Sequence, residues 1–123
     1  KAANLDTILN YITSETGFLY SYINKASNEQ RLPSKGERVS FKYHIQNLDK
    51  KIIYNQVELG TIDYIVDQED ILPALREGIR IMRPGDVVVF LFPSYLCYGF
   101  QGDGDKIGVN EPLRFTIELL TKN

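Results

Sequence analysis

An α+β fold, with an antiparallel β-sheet wrapped around a single short α-helix and a small helix and strand extension at the N-terminal end, is what the 123-residue sequence predicts. Three observations carry this. Several segments alternate apolar and polar residues with a period of two, as half-buried antiparallel strands do. One later segment changes to helical spacing. No strand-helix unit repeats, which disfavours a doubly wound parallel sheet.

In chain order, Leu5, Ile8, Leu9 and Ile12 recur at helical spacing, so a short amphipathic helix is expected over 4–13 with Asn4 as its cap. Gly17 breaks it. "FLYSYIN" at 18–24 is rich in aromatic and β-branched residues and reads as a strand, and "KASNEQRLPSKGE" as a polar connection. Residues 1–35 are therefore read as an extension and 36–123 as the main domain. "RVSFKYHIQ" sets Val39, Phe41, Tyr43 and Ile45 on one face against Arg38, Ser40, Lys42, His44 and Gln46 on the other. "IIYN" and "TIDYIV" supply two more strands, joined by a loop. In "DILPALREGIRIM", Ile71, Leu72, Leu75 and Ile79 fall on one side of a helix, with Asp70 as its expected cap and Pro73 tolerated in the first turn. "RPGD" is a turn. "VVVFLFP" shows no polar alternation and reads as a central strand buried on both faces. "PLRFTIELLTK" returns to alternation through Leu113, Phe115, Ile117 and Leu119 and closes the sheet.

The composition, 43% hydrophobic and 24% charged with a net charge of -2, argues against broad attraction to nucleic acid or anionic lipid. The length fits one domain with a real core. No window reaches 18 consecutive apolar residues, and "KAANLDTILN" lacks the apolar region of a signal peptide. Lys1 is an unusual natural start, which leaves room for a targeting segment removed upstream. Cys97 is the single cysteine, which excludes an internal disulfide, and a buried thiol is expected there.

Several catalytic templates fail on the residues. The one histidine, His44, lies on the polar face of its strand, where a solvent-facing side chain is expected, and has no second histidine to share a metal or triad. Asp103, Asp105 and Gly108 occupy the first, third and sixth positions of a calcium loop, but Ile107 and Arg114 stand where ligands are needed, so a glycine-assisted turn is the expectation. "GDGDKIG" lacks the ordered lysine and serine of a phosphate loop. Glu77 and Glu118 read as solvated. What remains is apolar and aromatic: Tyr43, Tyr54, Tyr64, Tyr98, Phe100 and Phe115 with Ile53, Ile71, Leu72 and Leu75. Any one of these is ordinary core material. Tyr98, beside glycine at the mouth of a loop, can close an apolar pocket with its ring and offer its hydroxyl to a ligand.

From about Gly36 to Leu120 the chain resembles the FKBP-type peptidyl-prolyl cis-trans isomerases. The matching blocks stand in the family's order: "GERVSFKY", "ILPALREGIRIMRPGD", "PSYLCYG" and "PLRFTIELL". A narrower similarity, through "TILNYITSETGFLYSYI" and "FLFPSYLCYGFQGDGDKIGVNEPL", is to the gliding-motility-associated FKBP-like lipoproteins of Bacteroidetes. The resemblance implies catalytic positions at Tyr98, Tyr43, Leu72 and Tyr54. It implies a substrate pocket completed by Ile53, Ile62, Ile71, Leu75, Ile107 and Phe115. The Leu72 N–H and the Tyr98 hydroxyl would bond carbonyls of a proline-containing polypeptide. Macrolide inhibitors would be further ligands. No cofactor and no metal are implied.

This chain departs from the family pattern where Tyr54 stands in place of a pocket aspartate, Leu75 in place of a tryptophan floor, and Ile53 and Ile62 in place of phenylalanines. A slower enzyme and weaker macrolide binding are expected. Three functional readings stay open: an isomerase and foldase for exported proteins, an FKBP-like binding module with little activity, and a structural part of a larger assembly. The lipoprotein similarity implies a periplasmic domain anchored to the outer membrane by a lipid outside this sequence; a cytoplasmic isomerase is the alternative.

Overall fold

The computed structural model describes residues 11–26, 31–68, 71–108 and 110–122, with the side chains of residues 100, 121 and 122 left aside. Seven strands form one antiparallel sheet: β1 (Ile12–Thr13), β2 (Leu19–Asn24), β3 (Arg38–Gln46), β4 (Ile52–Tyr54), β5 (Ile62–Ile65), β6 (Val87–Phe92) and β7 (Leu113–Lys122). Their order is β1-β2-β6-β7-β3-β4, with β5 also on β3. β7 lies along one edge of β3, pairing Tyr43 with Ile117 and Ile45 with Phe115. The other edge of β3 is shared: β5 pairs with its first half and β4 with its last residues. The sequence between β4 and β5 must therefore bridge a gap in the sheet. It does so with α1 (Gln56–Leu59).

The main helix, α2 (Pro73–Ile79), packs on the concave face of the sheet, and buries Ala74, Leu75, Gly78 and Ile79. Gly78 marks the contact. A Cβ built there would lie 3.2 Å from Phe90 Cζ on β6 and 3.3 Å from Ile117 Cδ1 on β7, so the absent side chain is what lets the helix sit this close. Beneath it, Phe90 and Phe92 stack with centroids 5.1 Å apart, and Phe18 leans on both at 5.8 and 5.0 Å. Such aromatic pairs stabilise beyond the area they bury.

Most of the expected elements form, with informative differences. The expected helix over 4–13 and its Asn4 cap fall mainly outside the described residues; its last part, Ile12 and Thr13, is strand β1, paired with Tyr20 and Leu19. Ser14 closes that hairpin: its N–H donates to the Phe18 carbonyl and its Oγ accepts the Phe18 N–H. Asp70, the expected cap of α2, is likewise outside the described residues, and the cap position belongs to Leu72, with Pro73 as the first helical residue. A missing N–H costs nothing at that position. Helix α1 was not foreseen where a loop was read. The 35/36 boundary falls in the connection between β2 and β3. On its N-terminal side β2 is hydrogen-bonded to β6, and Phe18 is 2% exposed in the core.

Candidate functional site

The concave face carries the site. β3 presents Phe41, Tyr43 and Ile45 inward at alternate positions, and β7 presents Phe115, because strand side chains alternate between faces. The Tyr43 ring lies parallel to that of Phe115, 7° between planes and 5.9 Å between centroids, and Phe92 meets Phe115 edge-on at 5.3 Å. Together these rings form a rigid aromatic wall. Leu75 from α2 and Ile107 from the loop before β7 are buried in the same cluster. Ile53, Tyr54, Ile62, Ile71, Leu72 and Tyr98 pack against it half-exposed, so the expected residues, from seven separated stretches of chain, belong to one apolar cluster. That half-exposure is what an open pocket requires.

Polar groups at this face are few and placed by the backbone. Leu72 precedes α2 in an extended conformation (ψ 132°), its carbonyl accepts the Arg76 N–H, and its own N–H has no partner among the described residues. A helix end leaves such donors free for a ligand. Tyr98 sits between two single-turn 3-10 helices, Ser94–Leu96 and Gly99–Gln101. Burial pushes its phenol above the ordinary value of 10.0, with the Asp103 and Cys97 groups adding to the rise. Burial likewise pushes Tyr43 up to about 12, with Tyr98 contributing. Both phenols therefore stay protonated, and Tyr98 remains a hydrogen-bond donor, across the physiological range. Phe100 lies in the same turn, its side chain outside the description.

Tyr54 is differently engaged than expected. Its hydroxyl donates to Asp103 Oδ2 at 2.6 Å, and this bond, followed by desolvation and the Asp103 charge, pushes the phenol up to about 12. Desolvation works to raise the Asp103 carboxyl, but hydrogen bonds from Tyr54 and from the Ile107 and Asp105 N–H groups hold it below the usual range. Asp103 was weighed from the sequence only as a calcium-loop residue; its part in the site was missed. Lys106 was missed as well: its Nζ lies 4.9 Å from the Tyr54 ring centroid and 3.4 Å from both the Ile53 carbonyl and Glu58 Oε2. A cavity of about 420 Å³ opens beside Ile53, between Asn47, Lys51, Ile52, Lys106 and Glu111.

Two other expectations resolve here. Cys97 is buried, and desolvation pushes its thiol up to about 12, which leaves it an inert core group. His44, expected to face solvent, is instead half-buried, since β7 lies alongside it; desolvation lowers its pKa, with the nearby Arg114 charge acting in the same sense.

This architecture, an antiparallel sheet wrapped around one short helix, is found in solved structures of FKBP proteins. The fold is similar to that of FkpA from Escherichia coli (TM-score 0.77, 24% identity, 92% of this chain and 51% of that one) and to the N-terminal domain of FKBP42 from Arabidopsis thaliana (TM-score 0.80, 16% identity, 93% and 92%). The sequence model of the FKBP-type peptidyl-prolyl cis-trans isomerases matches residues 29–120, and the chain belongs to that family. It is 28% identical over 109 residues to a probable FKBP-type peptidyl-prolyl cis-trans isomerase FkpA of Neisseria meningitidis serogroup B, covering 88% of this chain and 39% of that protein. It is 32% identical over 88 residues to FK506-binding protein 2 of Yarrowia lipolytica, covering 71% of this chain and 61% of that protein. The chain thus spans less than two thirds of either relative.

Proposed function

We propose that the protein is a prolyl isomerase that acts on extended X-Pro segments of exported polypeptides in the periplasm, and that it belongs among the lipid-anchored FKBP-like proteins its sequence resembles. One observation carries the reading: the stacked Tyr43–Phe115 pair shares one apolar cluster with Leu75 and Leu72, and the Leu72 N–H has no partner among the described residues.

The chemistry asked of such a site is modest. The barrier to rotation about a peptide bond, about 18–20 kcal/mol, comes from amide resonance. A proline ring held in apolar contact brings its imide out of water, where the polar planar form is disfavoured relative to the less polar twisted one. The Leu72 N–H and the Tyr98 hydroxyl then hold flanking carbonyls, which fixes the peptide while the imide turns. No nucleophile or general base is needed.

Cis/trans exchange of a proline tetrapeptide, followed by NMR, tests this. Wild type should accelerate exchange. Tyr98→Phe removes one hydrogen bond of about 1 kcal/mol and should lower kcat/KM roughly fivefold. Leu75→Trp supplies the missing aromatic floor and should raise it. Exchange no faster than in buffer, with the protein folded, would sink the enzyme reading in favour of a binding module, for which the ring-free Leu75 is the specific indication.

A further inference from the structure

The loop that carries Ile107 over the pocket is closed at its foot by backbone contacts. The Gly102 N–H donates to the Tyr98 carbonyl at 3.1 Å, the Asn110 N–H to the Gly99 carbonyl at 2.9 Å, and the Asp103 N–H to the Ile107 carbonyl at 3.2 Å. Gly102 has φ +69°, and a Cβ there would fall 2.5 Å from the Ile107 carbonyl oxygen, so the two limbs of the loop touch. The Asp103 carboxylate joins the inside of this loop to the sheet. Its Oδ1 accepts the N–H groups of Asp105 and Ile107, both at 2.9 Å, and its Oδ2 accepts the Tyr54 hydroxyl from β4 at 2.6 Å.

Resting on the isomerase-fold reading of the pocket, we infer that Asp103 is a positioning residue for substrate binding, which acts through Tyr54 to hold the 102–108 loop, and with it Ile107 and Tyr98, at the pocket mouth. One carboxylate does two jobs with two oxygens. Oδ1 shapes the loop, and Oδ2 anchors it to the strand that bears Ile53. Tyr54, which replaces an acid in the family pattern, is then the receiving end of a latch whose acid comes from the loop. Lys106 adds a second tie between the same loop and the Ile53, Tyr54 and Glu58 segment.

Tyr54→Phe separates the latch from the turn, because it removes the hydroxyl and leaves both Oδ1 bonds in place. The test compares wild type, Tyr54→Phe, Asp103→Asn and the double variant in three readouts: amide hydrogen exchange of the loop, the Kd of a proline tetrapeptide, and kcat/KM of cis/trans exchange. For Tyr54→Phe, exchange at the Ile107 amide should rise about tenfold and Kd about fivefold, with kcat/KM falling by at least the rise in Kd. The double variant should bind no more weakly than Asp103→Asn alone, since both changes break one bond; a merely structural contribution would lower thermal stability without that non-additivity. Loop exchange and Kd as in wild type would overturn the latch, and so would a loosened loop with unchanged Kd. A wild type that binds the peptide without accelerating exchange refutes the isomerase reading while leaving the Kd and amide readouts to decide the latch. A wild type that does neither removes the substrate and overturns both.

Discussion

Asp86 has no exposed surface, yet its carboxylate is fully employed: Oδ1 accepts the Ala26 N–H at 2.6 Å and Oδ2 the Arg83 N–H at 2.9 Å, while its backbone carbonyl accepts the Leu119 N–H. The residue ties the end of β2 to the turn before β6. Asp86→Ala would strand two part-buried donors and should cost about 1 to 3 kcal/mol, read as a lowered denaturation midpoint at unchanged m-value. The tyrosines set an alkaline limit. Tyr43 is raised to about 12 in the folded chain against 10.0 for a free phenol, so the unfolded state loses its proton first. Stability should be complete below pH 10 and decline as pH rises toward 12, less steeply in Tyr43→Phe. His44 acts at the other end. Its lowered pKa means the unfolded chain takes up a proton before the folded one, so stability should fall as pH drops below 6.5, and His44→Gln should flatten that slope in urea titrations. At this scale alternation alone puts Tyr43 and Phe115 on the inward faces of their strands, and their place in a pocket came only from the family resemblance. Tyr54 and Asp103 meet across 49 residues, a distance no local pattern reports.

Among the elements, β3, β6 and β7 were legible because period and apolar runs decide strands strongly. Helix α1 was missed although its signal is present. Asn55-Gln-Val-Glu58 is a capping box, in which the Asn55 side chain accepts the Glu58 N–H at 2.8 Å and the Glu58 carboxylate accepts the Asn55 N–H at 2.9 Å. A helix of four residues with no buried face gives no period to detect. For α2 the decisive position is Gly78. Alanine would gain about 1 kcal/mol of helix propensity, but Phe90 is stacked on Phe92 and braced by Phe18, and cannot yield. Gly78→Ala should therefore destabilise by about 1 to 2 kcal/mol net, seen in thermal unfolding.

At the scale of the whole molecule, reading one domain with an antiparallel sheet around one helix agrees with the observed architecture. What sequence order could not show is that the N-terminal segment supplies a strand to the sheet's interior arrangement. β2 lies between β1 and β6, five register pairs long, although it precedes β6 by some sixty residues. Strand pairing across such separations depends on which edge remains open after the other strands have assembled, and that is a property of topology.

The family model's match begins at residue 29, so β2 lies outside the segment that model covers, while β6, the strand β2 pairs with, lies inside. A fragment trimmed to residues 29–120 would present the edge of "VVVFLF" to solvent, a run of β-prone apolar residues with unpaired backbone groups and no guarding charge or proline within it. Such an edge is a template for another copy of the chain. The trimmed fragment should aggregate or pair edge to edge where the longer chain stays dispersed, a difference light scattering across a concentration series would record. The strand that looked like an appendage would then be the chain's safeguard against its own neighbours.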